Sequence, residues 1–467
     1  MTATLVAPDT TFVRARSGPG RLAAPKMRPQ AGLRQSDLQA VAQHMYALML
    51  RNVASNGFKF TDPADPGTFS KPGCVIAASS YPASTPGVDQ DYIFNWIRDA
   101  AITAIELAAA SVPTRPGAGD QSLIDYVTFA KTCQDNATPT LAHACFTIDG
   151  RARPWSEQSD GPALQTLAIL QAFPELDTAT RKVATQIIRT NLNFLLGVYQ
   201  DATTNLWEEH SGYSFFARAV QLRCLRAISA NTLGIAVPPD TAAAISWLES
   251  ALSGHWNGTQ YLSVLASAAT PTPIVEGYDP NIDIVQASIY GAIPCTDTRL
   301  LATAARLRQQ WSDSASPAVY PINLADQELG VGPMLGRYPA DTYDGDVADP
   351  IAGGHPWALC TCNFAELYYR LATQIGTTHT VPYDDLSAGF FGQVDIGPES
   401  TPEQTAAALA GAGDAMLQAV IYHSDNLELS EQFDGTTGYE KSVQDLTWSY
   451  AAFLSAVRAK TARDVQG

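Results

Sequence analysis

Three features of this 467-residue chain predict an all-α fold of about ten to thirteen helices. Apolar residues recur at helical spacing in one segment after another. Period-two alternation, the mark of a half-buried strand, is confined to Gly73–Ala78 and Phe146–Ile148. Helix-start signals precede several of the apolar segments, and long loops separate them.

Residues 1–35 are rich in Arg, Pro, Gly and Ala without apolar periodicity and read as a flexible N-terminal arm. Order begins at Ser36, where Ser36-x-x-Gln39 makes a capping box for a helix to about Ala54. Helical patterns follow over 97–111, 121–133, 161–173, 179–199, 214–230 and 241–253, the last opened by Asp240. Four more cover 297–312, 356–374, 402–424 and 443–460. Thr401-Pro402-Glu403-Gln404 supplies one of them with an N-cap, a proline at the first helical position and a glutamine at the third. The intervening segments 55–96, 134–160, 200–213, 254–296 and 313–355 are rich in Trp, Tyr, Gly and Asp. Ordered loops of such length in a helical protein are usually functional. No repeat and no Ser/Thr/Pro linker divides residues 36–467, which read as one domain.

Composition narrows the function. With 46% hydrophobic and 16% charged residues the chain can build a large core. Its net charge of −17 argues against nucleic acid, whose phosphates need a basic footprint. No run of 18 apolar residues offers a membrane span. The N-terminus lacks the apolar core of a secretory leader, which points to the cytoplasm, with secretion after removal of a leader as the alternative. The seven cysteines read as buried thiols, with one or more disulfides as the alternative; Cys360-x-Cys362 is too close for the usual zinc pair. No phosphate-binding glycine loop, HExxH helix or GxSxG elbow is present.

Two acidic runs stand out: Leu206-Trp207-Glu208-Glu209 and Leu429-Ser430-Glu431-Gln432-Phe433-Asp434. Each sets a glutamate among apolar neighbours, where a carboxylate is costly to desolvate. Glu208 and Glu209 are adjacent and therefore point different ways, so one can face a pocket while the other binds hydroxyls. Trp207 supplies an apolar wall that would raise a nearby carboxyl pKa. Glu431, between Ser430 and Gln432, is suited to deprotonate a water. Taken singly, these acids read equally well as helix-start residues favoured by the dipole and as turn residues facing solvent. Arg98-Asp99 at the start of an apolar helix suits recognition of vicinal hydroxyls, with Tyr92 and Trp96 to stack on a sugar face; a structural ion pair is the alternative. Arg337, Asp341, Tyr343 and Trp357 form a second such group, which suits sugar binding and an ordinary aromatic-rich surface equally well. Asp160-Gly161-Pro162, after Trp155, reads as a turn and N-cap. Two glutamates brought together across a fold are the minimum for cleaving a glycosidic bond, one protonating the leaving oxygen and one activating water.

Five runs occur in order: DYIFNWIRD (91–99), Trp155 through Leu164, NLWEEHSGYSFF (205–216), GRYPADTY with HPWALC (336–343, 355–360), and LSEQFD with DLTWSYAAF (429–434, 445–453). Together they resemble the fungal-type glucoamylases of glycoside hydrolase family 15 over nearly the whole chain. The resemblance implies an (α/α)6 barrel, with inner and outer rings of six helices and the active site in loops at one end. It implies an exo-acting, inverting α-glucosidase that frees β-glucose from non-reducing ends of α-glucans or short malto-oligosaccharides, with no metal and no cofactor. It makes Glu208 the general acid and Glu431 the general base, with Gln432 and Tyr92 seating the attacking water. It assigns Arg98, Asp99, Glu209 and Arg337 to the hydroxyls of the terminal glucose, and Trp96, Trp155, Trp207, Tyr343 and Trp357 to the pocket lining. An inverting pair needs carboxyls about 6.5–9.5 Å apart to admit water.

Four departures from the family pattern bear on specificity. Asn205 stands where an aspartate is usual, and the run after Trp155 is shortened with loss of an arginine. His210 and Tyr213 replace smaller residues, and the segment between Tyr343 and Pro356 is longer, roughly over Val347–Gly354. An α-1,6 or α-1,1 linkage, or glucosyl transfer on the same scaffold, is therefore the alternative. The chain ends soon after its last helix, so no starch-binding domain is expected.

Overall fold

The computed structural model describes residues 35–62, 65–79, 92–110, 119–267, 274–347 and 353–466. The expected arm 1–35 lies, but for its last residue, outside them. In chain order the helices are α1 (Gln35–Leu50), α2 (Ile97–Ala110), α3 (Gln121–Asn136), α4 (Asp160–Ala172), α5 (Thr178–Val198), α6 (Phe215–Ser229) and α7 (Thr241–Ser253). They continue with α8 (Asp283–Ile289), α9 (Thr298–Ser312), α10 (Pro321–Leu329), α11 (Ala358–Thr378), α12 (Ala388–Gly392), α13 (Pro402–His423) and α14 (Thr447–Gln466).

Helices apolar on every side must be enclosed by protein. All seven residues of α8 are buried, and α2, α4, α6 and α11 bury most of theirs. These helices close a ring: α2 packs on α4, α4 on α6, α6 on α8, α8 on α11, α11 on α14, and α14 back on α2. A second ring lies outside, with α3 against α2, α5 against α4, α7 against α6, α9 against α8, α13 against α11 and α1 against α14. The outer helix α5 shows the expected single stripe, burying Thr180, Ala184, Ile187, Ile188, Asn191, Leu192 and Leu195. The architecture is an (α/α)6 barrel. First-turn acids mark the N-termini of three inner helices: Asp99 on α2, Asp160 on α4 and Asp283 on α8. The positive end of the helix dipole favours them there.

Short strands stiffen the loops at this end. β1 (Asn95–Trp96) pairs antiparallel with β2 (Cys145–Phe146), setting Trp96 opposite Cys145. β3 (Thr203–Thr204), β4 (Ser211–Ser214) and β5 (Val264–Leu265) form a three-stranded sheet. β6 (Gln432–Phe433) pairs with β7 (Glu440–Lys441), and a bridge joins Gln432 to Trp357.

Three helices, α8, α10 and α12, fall where loop was expected. They have seven, nine and five residues, too short to show a period, and burial rather than propensity forms them. For α10 the signals were present: Pro321 opens it and Gly330 closes it at φ 76°. Gly73–Ala78 forms no strand beyond a single bridge from Val75 to Val53; Ile76, Ala77 and Ala78 donate their N–H groups to Asn52, Phe94 and Tyr92 in surrounding loops. The first helix stops at Leu50, before Ala54. Asn52 turns its side chain to Asp445 O and Thr447 Oγ1, pinning the chain to the start of α14. All seven cysteines are free thiols, six of them buried.

Candidate active site

The β3–β4 hairpin carries Glu208. Its loop is organised by Asn205, which is fully buried. Asn205 Oδ1 accepts the N–H groups of Glu209 (3.1 Å) and His210 (3.0 Å), so its Nδ2 is the group that faces the Tyr278 hydroxyl. The amide thus supplies an acceptor and a donor at once. Glu208 sits at φ 65°, a left-handed conformation uncommon outside glycine and frequent at functional sites. Its Oε1 accepts from Trp96 Nε1 (3.2 Å) and Gln158 Nε2 (2.8 Å), and Arg98 Nη2 lies 3.6 Å away. Its Oε2 accepts from Trp155 Nε1 at 2.6 Å. Trp155 is 38% exposed, so Oε2 lies on the open side.

Glu431 precedes β6 and is buried. Three hydroxyls converge on it: Tyr92 donates to Oε1 (2.8 Å), and Tyr343 (3.0 Å) and Ser442 (2.6 Å) donate to Oε2. Burial pushes its pKa above the usual glutamate value, and the three hydroxyls and the nearby Arg337 charge offset part of that rise.

A run of rings joins the two acids. Trp155 meets Trp96 edge-on at 5.6 Å, Trp96 meets Tyr92 at 6.1 Å, and Tyr92 reaches Glu431. Beyond Glu431, Tyr343 packs on Trp357 (5.9 Å) and Trp357 on Trp207 (5.7 Å). Arg337 stands 5.1 to 5.3 Å from the rings of Trp207, Tyr338, Tyr343 and Trp357. Asp341 holds it with two bonds of 2.8 and 2.6 Å, and Glu209 Oε1 lies 2.9 Å from its Nη2. Tyr338 lies 2.9 Å from both oxygens of Glu209.

Arg98 and Asp99 are buried at the first turn of α2. The Arg98 guanidinium is spent on Gln158 and Asp160 (3.1 Å), and its closest approach to Asp99 is 3.9 Å. Burial raises the Asp99 carboxyl to about 6, against the pull of Arg98. The two do not form a close ion pair with each other; Arg98 turns to Asp160 and Glu208, and Asp99 is a separate carboxyl.

Two further expectations are corrected. Trp207 is not the wall of Glu208: its Nε1 donates to Asn281 (2.9 Å) and its ring faces Trp357, while Trp96 and Trp155 hold the carboxyl. The Gln432 side chain is engaged by the neighbouring loop. Its Oε1 accepts from Gly345 N and its Nε2 donates to Tyr343 O, both at 3.1 Å, because a buried amide must satisfy donor and acceptor together. The other expected residues, Tyr92, Trp96, Trp155, Glu209, Arg337, Tyr343 and Trp357, are brought together as described. Gln158, Tyr338, Asp341 and Ser442 belong to the same constellation; of these only Asp341 was singled out in the sequence. Three of them lie inside runs already quoted; Ser442 is reached only because β7 returns beside β6.

A model of the glycosyl hydrolases family 15 matches residues 47–458. Glucoamylase 1 of Rhizopus oryzae is 27% identical over 424 residues, covering 83% of this chain and 67% of its own length. The intracellular sporulation-specific glucoamylase of Saccharomyces cerevisiae is 26% identical over 451 residues, covering 81% of this chain and 80% of its own. Among solved structures, the glucoamylase from Saccharomycopsis fibuligera shares the fold with a TM-score of 0.73 at 23% identity, covering 94% of this chain and 99% of that one. With the family model spanning almost all of the barrel, the chain belongs to glycosyl hydrolases family 15.

Proposed function

We propose that the enzyme is a glucoamylase-type exo-glucosidase that releases β-glucose from non-reducing ends of α-glucans by inversion. The observation that carries this reading is the pairing of Glu208 and Glu431. They sit on separate loops, share no hydrogen bond, and are linked by the Trp96–Tyr92 ring pair. Two acids on separate loops suit an inverting mechanism, which places a water between base and sugar.

Glu208 is the acid. Oε1 accepts from two donors and Oε2 from one, Trp155 on the open side, so Oε2 is the oxygen suited to carry the transferable proton. It passes to the glycosidic oxygen as the bond from C1 breaks. Glu431 takes a proton from water as that water attacks C1 from the opposite face. The leaving sugar departs with the Glu208 proton, and exchange with solvent restores both groups. Arg337, fixed by Asp341 and Glu209, together with Asp99, provides charged groups for the hydroxyls that only a chain end offers. The name shared by the relatives supports an α-glucan as substrate.

Glu208→Gln and Glu431→Gln should each lower kcat on maltose at least about a hundredfold with the fold intact by circular dichroism. Either variant with activity within tenfold of wild type removes that residue from its role.

A further inference from the structure

The two hydroxyls on Glu431 Oε2 come from different elements: Tyr343 from the loop before α11, and Ser442 from the end of β7. Ser442 stands at φ 65°, a position that needs outside support in a residue other than glycine. Its hydroxyl occupies space that a Cβ on Gly345 would enter at 1.8 Å, so the two elements interlock.

Charges also bind the two elements together. Lys441 Nζ lies 2.9 Å from Asp344 Oδ1 and 3.4 Å from Asp346 Oδ2. Asp346 Oδ2 also accepts the Ser442 N–H at 3.1 Å, and Asp344 Oδ1 accepts the Asp346 N–H at 2.9 Å. Asp344 Oδ2 is 3.1 Å from His355 Nε2, and His355 Nδ1 accepts the Gly435 N–H, which leaves Nε2 as the N–H that faces Asp344. Asp344 therefore ties the foot of the long 344–355 segment, and Lys441 ties that foot to β7. Gln432, opposite Lys441 in the β6–β7 register, bonds the same loop through Tyr343 O and Gly345 N. Both members of the Gln432–Lys441 pair thus grip the loop.

We propose that Lys441 is a positioning residue for the general base: by clamping Asp344 and Asp346 it holds Tyr343 and Ser442 together on Glu431 Oε2. Glu431 faces Tyr92, Tyr343, Ser442 and the Arg337 charge; Lys441 faces Asp344 and Asp346, with His355 behind Asp344. Without the ammonium, the two carboxylates repel each other and the turn at Ser442 loses its anchor. Hydroxyl donors then leave Glu431, and negative charge nearby is no longer balanced. Both effects favour the protonated base. This inference rests on Glu431 being the base.

The test compares Lys441→Met, Lys441→Gln and Lys441→Arg with wild type and with Glu431→Gln, recording kcat, KM and the pH profile of kcat/KM on maltose. For Lys441→Met, the acid limb should move up by about one pH unit and kcat should fall about tenfold, with KM within about threefold. Lys441→Gln should shift in the same direction by less and serves if the methionine variant does not fold. Lys441→Arg should restore the wild-type limb. An acid limb in Lys441→Met, or failing that Lys441→Gln, that superimposes on wild type overturns the proposal, whatever happens to the melting temperature. An active Glu431→Gln enzyme would overturn the reading of the base instead.

Discussion

Glu431 is held by three hydroxyls, and each is a separate handle on its ionisation. On the proposed reading Glu431 is the base, which works only when ionised, so activity must rise through its pKa. Burial lifts that value, which places the acid limb of kcat/KM above the range of a free glutamate. Tyr343→Phe deletes one donor without changing the ring stack on Trp357. Its acid limb should move to higher pH by up to about one unit, since each lost hydrogen bond favours the protonated form. A limb shifted to lower pH contradicts the assignment of these hydroxyls as donors to the carboxylate. At this scale the sequence was legible where chemistry and local context coincide. Glu208 and Glu431 stand out because apolar neighbours make a carboxylate there conspicuous. The positions of Trp155, Trp96 and Tyr92 followed from their runs. What could not be read was direction. Whether Arg98 turns to Asp99 or to Asp160, and whether Gln432 faces water or Gly345, depends on atoms from other segments.

The elements were legible in proportion to their length and caps. α13 was marked by Thr401, Pro402 and Gln404, and the structure contains the full capping box: Thr401 Oγ1 accepts from Gln404 N, and Gln404 Oε1 accepts from Thr401 N. Both groups are exposed and lie on the outer ring, away from the site. Thr401→Ala should therefore cost about 1 kcal/mol of stability and leave kcat/KM unchanged; a large loss of activity without a change in unfolding would contradict the placement of this helix. The short helices α8 and α12 had no such signals. The seven-residue α8 has no side-chain N-cap bond and is formed by complete burial inside the ring. Two-residue strands such as β6 and β7 leave no periodic trace at all, yet they place Glu431 beside Ser442.

The whole barrel gathers inner-helix N-termini at one end, and the acids of the site lie on those turns or in the loops that lead into them. Desolvation there and elsewhere leaves several acids with raised pKa values: Glu106 to about 7, and Asp283 and Glu440 to about 8. Between their ordinary values and these, the folded protein holds protons that the unfolded chain has released. Stability must then fall as pH rises across that window. His255, lowered to about 4 by burial, acts in the opposite sense, but only below its ordinary value of 6.5. From pH 6.5 to 8 the acids therefore dominate, and the melting temperature should decline across that interval. Asp283→Asn should flatten the slope, and a melting temperature that rises from pH 6.5 to 8 contradicts the burial of these groups as charged-form penalties.

The central claim is that two separated carboxyls, Glu208 and Glu431, admit a water between base and sugar. The most direct measurement is a proton-NMR time course on maltose, maltotriose, isomaltose and trehalose, following the anomeric signals of the first glucose released. The geometry predicts β-glucose before mutarotation, from whichever linkage the pocket accepts. Initial α-glucose, or no glucose from any of the four, would contradict it.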